Sequence, residues 1–415
     1  YYNSPLDPSN RYSEGRALYS QIDGKYVVTH NRYKANYDPK FTGFFPRMWS
    51  SMNPSHANDY AEWGRIKGTR IQHKNERGES EVIVKPTFGE NMRFFFNYQV
   101  NFMYWRYFMW NFVGRQNDIQ GHGNILHGNW LSGIKFLDEA RLGDQDHLPT
   151  KLANNKARNT YYFLPLLLGI LGIFFQYNRG KEGKKGLWVV FLLFALTGIA
   201  IVIYLNQYPH QPRERDYAYA GSFYAFAIWI GLGVLAITET LKKYIPETVA
   251  AGLTGLIALV LVPGIMAAEN WDDHDRSGRY TARDFGANYL ETCKPNSVIF
   301  TNGDNDTFPL WYNQEVEGVR TDMRVCNLSY LQTDWYINQM ARKSYESEAL
   351  PFTLKPEQYR QGTRDMVYVV DNPRIKRDYV GLKEAVDFIA NDNPATKLQP
   401  VSYTHLTLPT MLAQC

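Results

Sequence analysis

The polar stretch with the densest chemistry is QYPHQPRERDYAYAGSF (Gln207–Phe223). Arg213, Glu214, Arg215 and Asp216 stand together immediately before a long uncharged run. Charged side chains at the edge of such a run are costly unless they are paired or hold a ligand. A guanidinium binds phosphate through a planar two-pronged fork. Two readings stay open. Arg213 and Arg215 take a lipid-linked phosphate, with Glu214 and Asp216 as the supporting network, or the four residues form a local network that only anchors a helix end.

A second acidic group follows the strand-like SVIFT (Ser297–Thr301), where Gly303–Asp306 reads GDND. In an open α/β sheet, ligands bind at the carboxyl ends of the strands. Asp304 and Asp306 at that place suit a sugar or a divalent cation held through oxygen. Asp and Asn are also the residues of turns and helix caps. Asp272–Asp275 reads DDHD, but adjacent residues seldom converge on one centre, so it reads as a solvated helix start. His122 and His127 lie in the glycine-rich GHGNILHG with no nucleophile in sight. Cys293 and Cys326 admit one bridge or two free thiols, and the cysteine spacing fits no zinc motif. No phosphate-binding glycine loop, GxSxG or HExxH occurs. No metal site is assigned; a divalent cation at the acidic pair is the one cofactor the sequence admits.

These groups need elements to hold them. The chain has 415 residues, 45 Lys and Arg against 41 Asp and Glu, and a formal charge of +4. That balance, with no basic stripe, argues against nucleic acid as a partner. The mean hydropathy of −0.42 suits a soluble chain, but the average hides strong segregation. Four runs lack Asp, Glu, Lys and Arg altogether: 161–177, 186–206, 217–237 and 249–268. About 20 apolar residues cross a bilayer, so four transmembrane helices are expected. The loop before 186 carries Arg179, Lys181, Lys184 and Lys185, and the loop before 249 carries Lys242 and Lys243. Arg213 and Arg215 in the intervening loop are balanced by Glu214 and Asp216. Lysine and arginine mark the cytoplasmic loops, which puts both large hydrophilic regions on the outer face.

The expected fold is an α-helical membrane bundle plus an extracytoplasmic α/β domain. Residues 1–150 form a turn-rich hydrophilic region that contains an aromatic run at 94–113, which reads as an interfacial helix, with a buried soluble helix as the alternative. Residues 151–268 hold the spans. Residues 269–400 alternate strands (Ser297–Thr301, Met323–Leu328, Met366–Val370) with helices (Arg283–Cys293, Asp334–Ser344, Gly381–Ala390), as a small α/β domain does. The chain starts at Tyr1 with no Met and reads as the interior of a longer protein. Val401–Thr410, VSYTHLTLPT, resembles a translated sequencing adapter, so 401–415 is set aside as an artefactual tail.

Five stretches carry a family resemblance: RYFMWNFVGRQND (Arg106–Asp118), NTYYFLPLLLGILG (Asn159–Gly172), YLNQYPHQPRERDYAYAGSFYAFAIWIGLG (Tyr204–Gly233), ENWDDHDRSGRYTARD (Glu269–Asp284) and TNGDNDTFPLWYNQEVEGVRTD (Thr301–Asp322). Together they resemble the bacterial multi-pass family called domain of unknown function 2723, also classed as glycosyltransferase family 117. Its animal relative is a protein O-mannosyltransferase. The resemblance implies a GT-C type enzyme in the bacterial inner membrane with its hydrophilic regions in the periplasm. Its partners would be the bilayer, a polyprenyl-phosphate sugar donor and a protein hydroxyl acceptor. It implies that Arg213 and Arg215 contact the lipid phosphate. The catalytic carboxylate would lie upstream of this chain, so no catalytic residue is assigned. A different class remains as the alternative: a non-catalytic, membrane-anchored envelope protein presenting an α/β binding domain.

Overall fold

The computed structural model describes residues 5–22, 24–48, 53, 55–74, 80–360, 380–391 and 393. The chain divides into two units, Tyr1–Pro8 with Tyr37–Asp275, and Ser9–Asn36 with Arg276–Cys415.

The first unit is built on one long helix. Thr87 starts it with a capping box: its hydroxyl accepts from Glu90 N, and Glu90 Oε2 accepts from Thr87 N at 2.8 Å. The helix runs as Phe88–Phe94, then a π-helical stretch Phe95–Trp105, then Arg106–Phe112. Its rings are largely buried. Phe94, Tyr98, Tyr104 and Tyr107 join Tyr60, Val202 and Tyr219 in one cluster. Phe108 and Phe112 join Ala225, Phe226 and Trp229 in another. Tyrosine tips that enter this core are satisfied, Tyr98 Oη donating to Tyr208 O at 2.8 Å and Tyr104 Oη to Ser222 Oγ at 3.1 Å. The aromatic run 94–113, expected as an interfacial helix, is thus a packing centre, with Phe96 and Trp105 among its few exposed rings.

Three helical stretches are long and apolar enough to cross a membrane: Gly180–Leu205, Asp216–Leu241 and Glu247–His274. They take in the runs 217–237 and 249–268 and all but the last residue of 186–206. The run 161–177 does not give a fourth. Its helix covers only Leu164–Tyr177, 14 residues. At 1.5 Å per residue that is about 21 Å, short of the roughly 30 Å of hydrocarbon. The cause is local. Tyr161 N donates to Val113 O and Tyr162 N to Ser132 O, so both are tied to the polar loop that follows the long helix. Tyr162 and Phe163 then take left-handed backbone angles before the helix can start.

This short helix lies against Ala220–Leu241 at very close range. A Cβ on Gly172 would collide with the Trp229 carbonyl, and one on Gly233 with the Leu168 carbonyl. Small residues permit such an approach. Trp229 Nε1 seals the contact by donating to Gln176 Oε1 at 2.9 Å.

In the second unit, Tyr12–Ile22 and Lys25–Ala35 form an antiparallel hairpin. The strands Val298–Thr301 and Arg324–Asn327 pair in parallel, Val298 opposite Arg324 and Thr301 opposite Asn327. The helix Asp304–Glu315 makes the crossover. Leu290, Leu310, Met323 and Val325 fill its core. The helices Thr281–Glu291, Asp334–Met340 and Leu382–Ala390 lie where the sequence places them. The strand expected at Met366–Val370 and the tail 401–415 lie outside the described residues. Cys293 and Cys326 are free thiols.

Candidate functional site

The Arg213–Asp216 loop is organised by a residue of the long helix. Glu214 accepts two parallel hydrogen bonds from Arg106, Nη2 to Oε2 at 2.7 Å and Nη1 to Oε1 at 3.2 Å. The Tyr107 hydroxyl also donates to Glu214 Oε2, and Gly121 N donates to Oε1 at 3.2 Å. Arg106 in turn donates to Gly128 O and Phe102 O. Its guanidinium lies over the rings of Phe102 and Tyr107. Burial alone would push the Glu214 carboxyl up. The Arg106 charge and the hydrogen bonds from Arg106, Tyr107 and Gly121 outweigh it and hold the group below its ordinary value. Burial pushes the Tyr107 hydroxyl well up, against the pull of Arg106, so it stays a donor.

Glu214 is therefore taken by Arg106, not by its neighbours in the sequence. Arg215 donates its backbone N–H to the Tyr107 hydroxyl at 3.1 Å and Nη1 to Tyr217 Oη at 3.4 Å. Its Nε is buried with no hydrogen-bond partner. Arg213 is exposed, its charge 5.8 Å from the Tyr217 ring centroid. Among the described residues neither guanidinium is paired with a carboxylate. The local Arg–Glu–Asp network allowed by the sequence is not what forms.

Asp216 turns the other way. It begins a 3₁₀ turn, Asp216–Tyr219, that leads into the helix Ala220–Leu241. There it lines a cleft of about 490 Å³. The floor and walls include the rings of Trp110, Tyr161 and Trp271. Charge comes from Asp216, Asp273 and Arg115, whose guanidinium lies 4.2 Å over Trp110, and His274 adds an imidazole. Amides come from Asn111, Asn159 and Asn270. Asn270 Nδ2 donates to Tyr161 Oη at 2.7 Å and to Met266 O, and its side-chain amide lies 2.8 Å from that of Asn159. Ring faces beside fixed hydroxyl-binding groups suit a small polyhydroxylated ligand.

The other candidates fall elsewhere. Asp304 and Asp306 are exposed in the first turn of the helix Asp304–Glu315, and Tyr330 Oη donates to Asp304 Oδ1 at 3.2 Å. They lie in the second unit, whereas the arginine loop and the cleft lie in the first. Of the DDHD stretch, Asp273 and His274 reach the cleft, with His274 Nδ1 2.5 Å from Asp273 Oδ1. Among the described residues, the one group of three or more His, Cys, Asp or Glu side chains close enough to share a metal is Glu139, Asp144 and Asp146, near the surface. Lys135 already pairs with Asp146 and His147 with Asp144. Sequence reasoning missed Arg106, Tyr107, Arg115, Trp110 and Asn270. The available signal was Arg106 itself, the lone charge within the aromatic run 94–113.

Comparison with known families gives two matches. A family model described as TMEM260-associated domain 2 matches residues 282–412, and one described as a family of unknown function (DUF8416) matches residues 1–96. The first covers the α/β part of the second unit. Neither reaches residues 97–281, which hold the arginine loop and most of the cleft's surroundings. No curated protein and no solved structure matches the chain. These matches correct the resemblance drawn from the sequence: the chain matches neither domain of unknown function 2723 nor glycosyltransferase family 117.

Proposed function

We propose that this chain is part of a membrane-embedded glycosyl-transfer enzyme that uses a polyprenyl-phosphate sugar and a protein hydroxyl acceptor. The observation that carries the reading is the division of labour between neighbours. Arg215, with Arg213 nearby, offers guanidinium charge without a carboxylate partner, while Asp216 lines the aromatic cleft. In this reading the two arginines hold the lipid phosphate and offset its charge as it leaves. Asp216 and the asparagines hold sugar hydroxyls against the rings. In the reaction the acceptor O–H proton passes to a carboxylate base, the acceptor oxygen bonds to the sugar, and the sugar–phosphate bond breaks.

The same cleft supports the membrane placement proposed here. Tyr161, Asp216 and Asn270 line it together. The short helix and one span begin there, and another span ends there. The opposite ends carry Arg179, Lys181, Lys184, Lys185, Lys242 and Lys243. By the distribution of Lys and Arg, those ends face the cytoplasm and the cleft faces outward, at the headgroup layer of a bacterial inner membrane.

The test is binding of a polyprenyl phosphate to the full-length protein in detergent. Saturable binding is expected, weakened at least tenfold in the Arg213→Ala/Arg215→Ala double variant with membrane insertion unchanged. Equal affinity in both proteins overturns the phosphate role.

A further inference from the structure

The second unit holds a buried cation that no carboxylate answers. Arg324 opens the strand Arg324–Asn327 and is 5% exposed. Its Nη2 donates to three backbone carbonyls, Arg342 O at 2.7 Å, Glu348 O at 3.2 Å and Ser347 O at 3.4 Å. Its Nε is buried with no hydrogen-bond partner, and Nη1 makes no hydrogen bond among the described residues. No ion pair among the described residues includes it. Burial pulls the guanidinium below its ordinary value, and the groups that pull it back up are Tyr336 and Cys326, neither of them a carboxylate. A buried charge of this kind is costly unless an opposite charge faces it.

The same arginine lines a cleft of about 230 Å³. Pockets for drug-sized ligands run to roughly 300–1,000 Å³, so this one fits a smaller molecule. Trp311, Met323 and Met340 supply apolar wall, and methionine adapts its shape to what it meets. Polar groups of the wall are held in place: Tyr336 Oη accepts from Asn327 N at 2.9 Å, and Gln314 Nε2 donates to Arg320 O at 2.8 Å. Glu315 also lines the cleft. Its carboxylate accepts from the Tyr345 hydroxyl and, among the described residues, pairs with no cation. Arg324 and Glu315 are the two charged residues of the described lining, and they do not pair with each other.

We propose that this cleft binds a free α-amino acid with an apolar side chain, its carboxylate on Arg324, its ammonium at Glu315 and its side chain against Trp311 and Met340. A guanidinium holds a carboxylate through charge-assisted hydrogen bonds, and the N–H groups of Arg324 that bind no carbonyl are the donors for them. A ligand carrying both charges answers the buried cation and the rim carboxylate at once. A simple anion answers only the first. The site gives the α/β part of the second unit a ligand of its own and stands independently of the glycosyl-transfer reading.

The experiment titrates L-leucine, L-methionine and L-phenylalanine, each in turn, into the full-length protein in detergent, followed by calorimetry. Saturable binding of at least one is expected. In Glu315→Gln the Kd for that amino acid rises about tenfold or more, while the Kd for its analogue lacking the amino group stays as in the wild type. Arg324→Met loses both. Glu315 is exposed, so its variant tests the site without a folding defect; loss of folding in Arg324→Met, read by circular dichroism, leaves Glu315→Gln to decide. No saturable binding of any of the three by the wild type, an unchanged Kd for the amino acid in Glu315→Gln, or binding retained by a folded Arg324→Met overturns the proposal and leaves Arg324 as a latch on Arg342, Ser347 and Glu348 alone.

Discussion

Arg106 and Glu214, 108 positions apart in the sequence, form a two-pronged ion pair whose side chains are 6% and 11% exposed. The pair joins the long aromatic helix to the loop that presents Arg213, Arg215 and Asp216. Its geometry is of the favourable kind, because the remaining groups are satisfied by Tyr107, Gly121, Gly128 and Phe102. Removing one partner strands a buried charge, so Glu214→Ala is expected to cost about 3–5 kcal/mol. Thermal unfolding in detergent measures it. Replacing both partners together, as Arg106→Met/Glu214→Leu, is expected to cost less than Glu214→Ala alone. A double variant less stable than the single one contradicts this account of the pair.

How much of this was legible in the sequence depends on the range of the interaction. The strands Val298–Thr301 and Arg324–Asn327 were readable because short apolar runs are local patterns, whereas their parallel pairing and the helix Asp304–Glu315 between them were not read. The spans were readable because a bilayer imposes length and apolarity on each segment separately. The short helix Leu164–Tyr177 was misread as a span, since what shortens it is hydrogen bonding of Tyr161 and Tyr162 to Val113 and Ser132. The hairpin Tyr12–Ile22 with Lys25–Ala35 was missed because polar and apolar residues share both of its faces. Arg213 to Asp216 stood out as charges at a span's edge. Arg106 as the partner of Glu214 did not, because pairing across such a distance leaves no spacing signal.

Glu90 gives a pH-dependent stability. Its carboxylate accepts from Lys67 N at 2.7 Å, Gly68 N at 3.1 Å, and both Thr87 N and Oγ1. Burial pushes the carboxyl up, but these hydrogen bonds outweigh it and lower it to about 2. The ionised form is thus favoured in the folded state. The contribution is whole above the ordinary value of 4.5 and is lost as pH falls from there toward about 2. Glu90→Gln is expected to lower stability at pH 7 and to narrow the gap from wild type as pH falls across that window. A gap that is constant with pH contradicts it.

The approach of the short helix to the span Asp216–Leu241 rests on Gly172 and Gly233. Gly172→Leu or Gly233→Leu is expected to separate the two helices and to abolish the Trp229–Gln176 hydrogen bond. Cysteine crosslinking between Leu168 and Gly233 neighbours, or the Trp229 fluorescence maximum, reports the change. An unchanged spectrum in both variants contradicts the close packing.

Asp304 and Asp306 are expected to act on the helix Asp304–Glu315 and nowhere else. Acidic residues in a first turn favour the helix by about 0.3–1 kcal/mol each. Asp304→Asn/Asp306→Asn should lower the melting temperature slightly and leave polyprenyl-phosphate binding unchanged. Loss of lipid or sugar binding in this variant would show a ligand role that the exposed side chains do not suggest.

The central claim is tested most directly by the release of polyprenyl phosphate from a polyprenyl-phosphate sugar by the full-length protein in lipid nanodiscs. The account predicts release by the wild type, and at least a tenfold fall in Asp216→Asn with lipid-phosphate binding intact. A wild-type protein that binds such donors and releases no polyprenyl phosphate from any of them contradicts it.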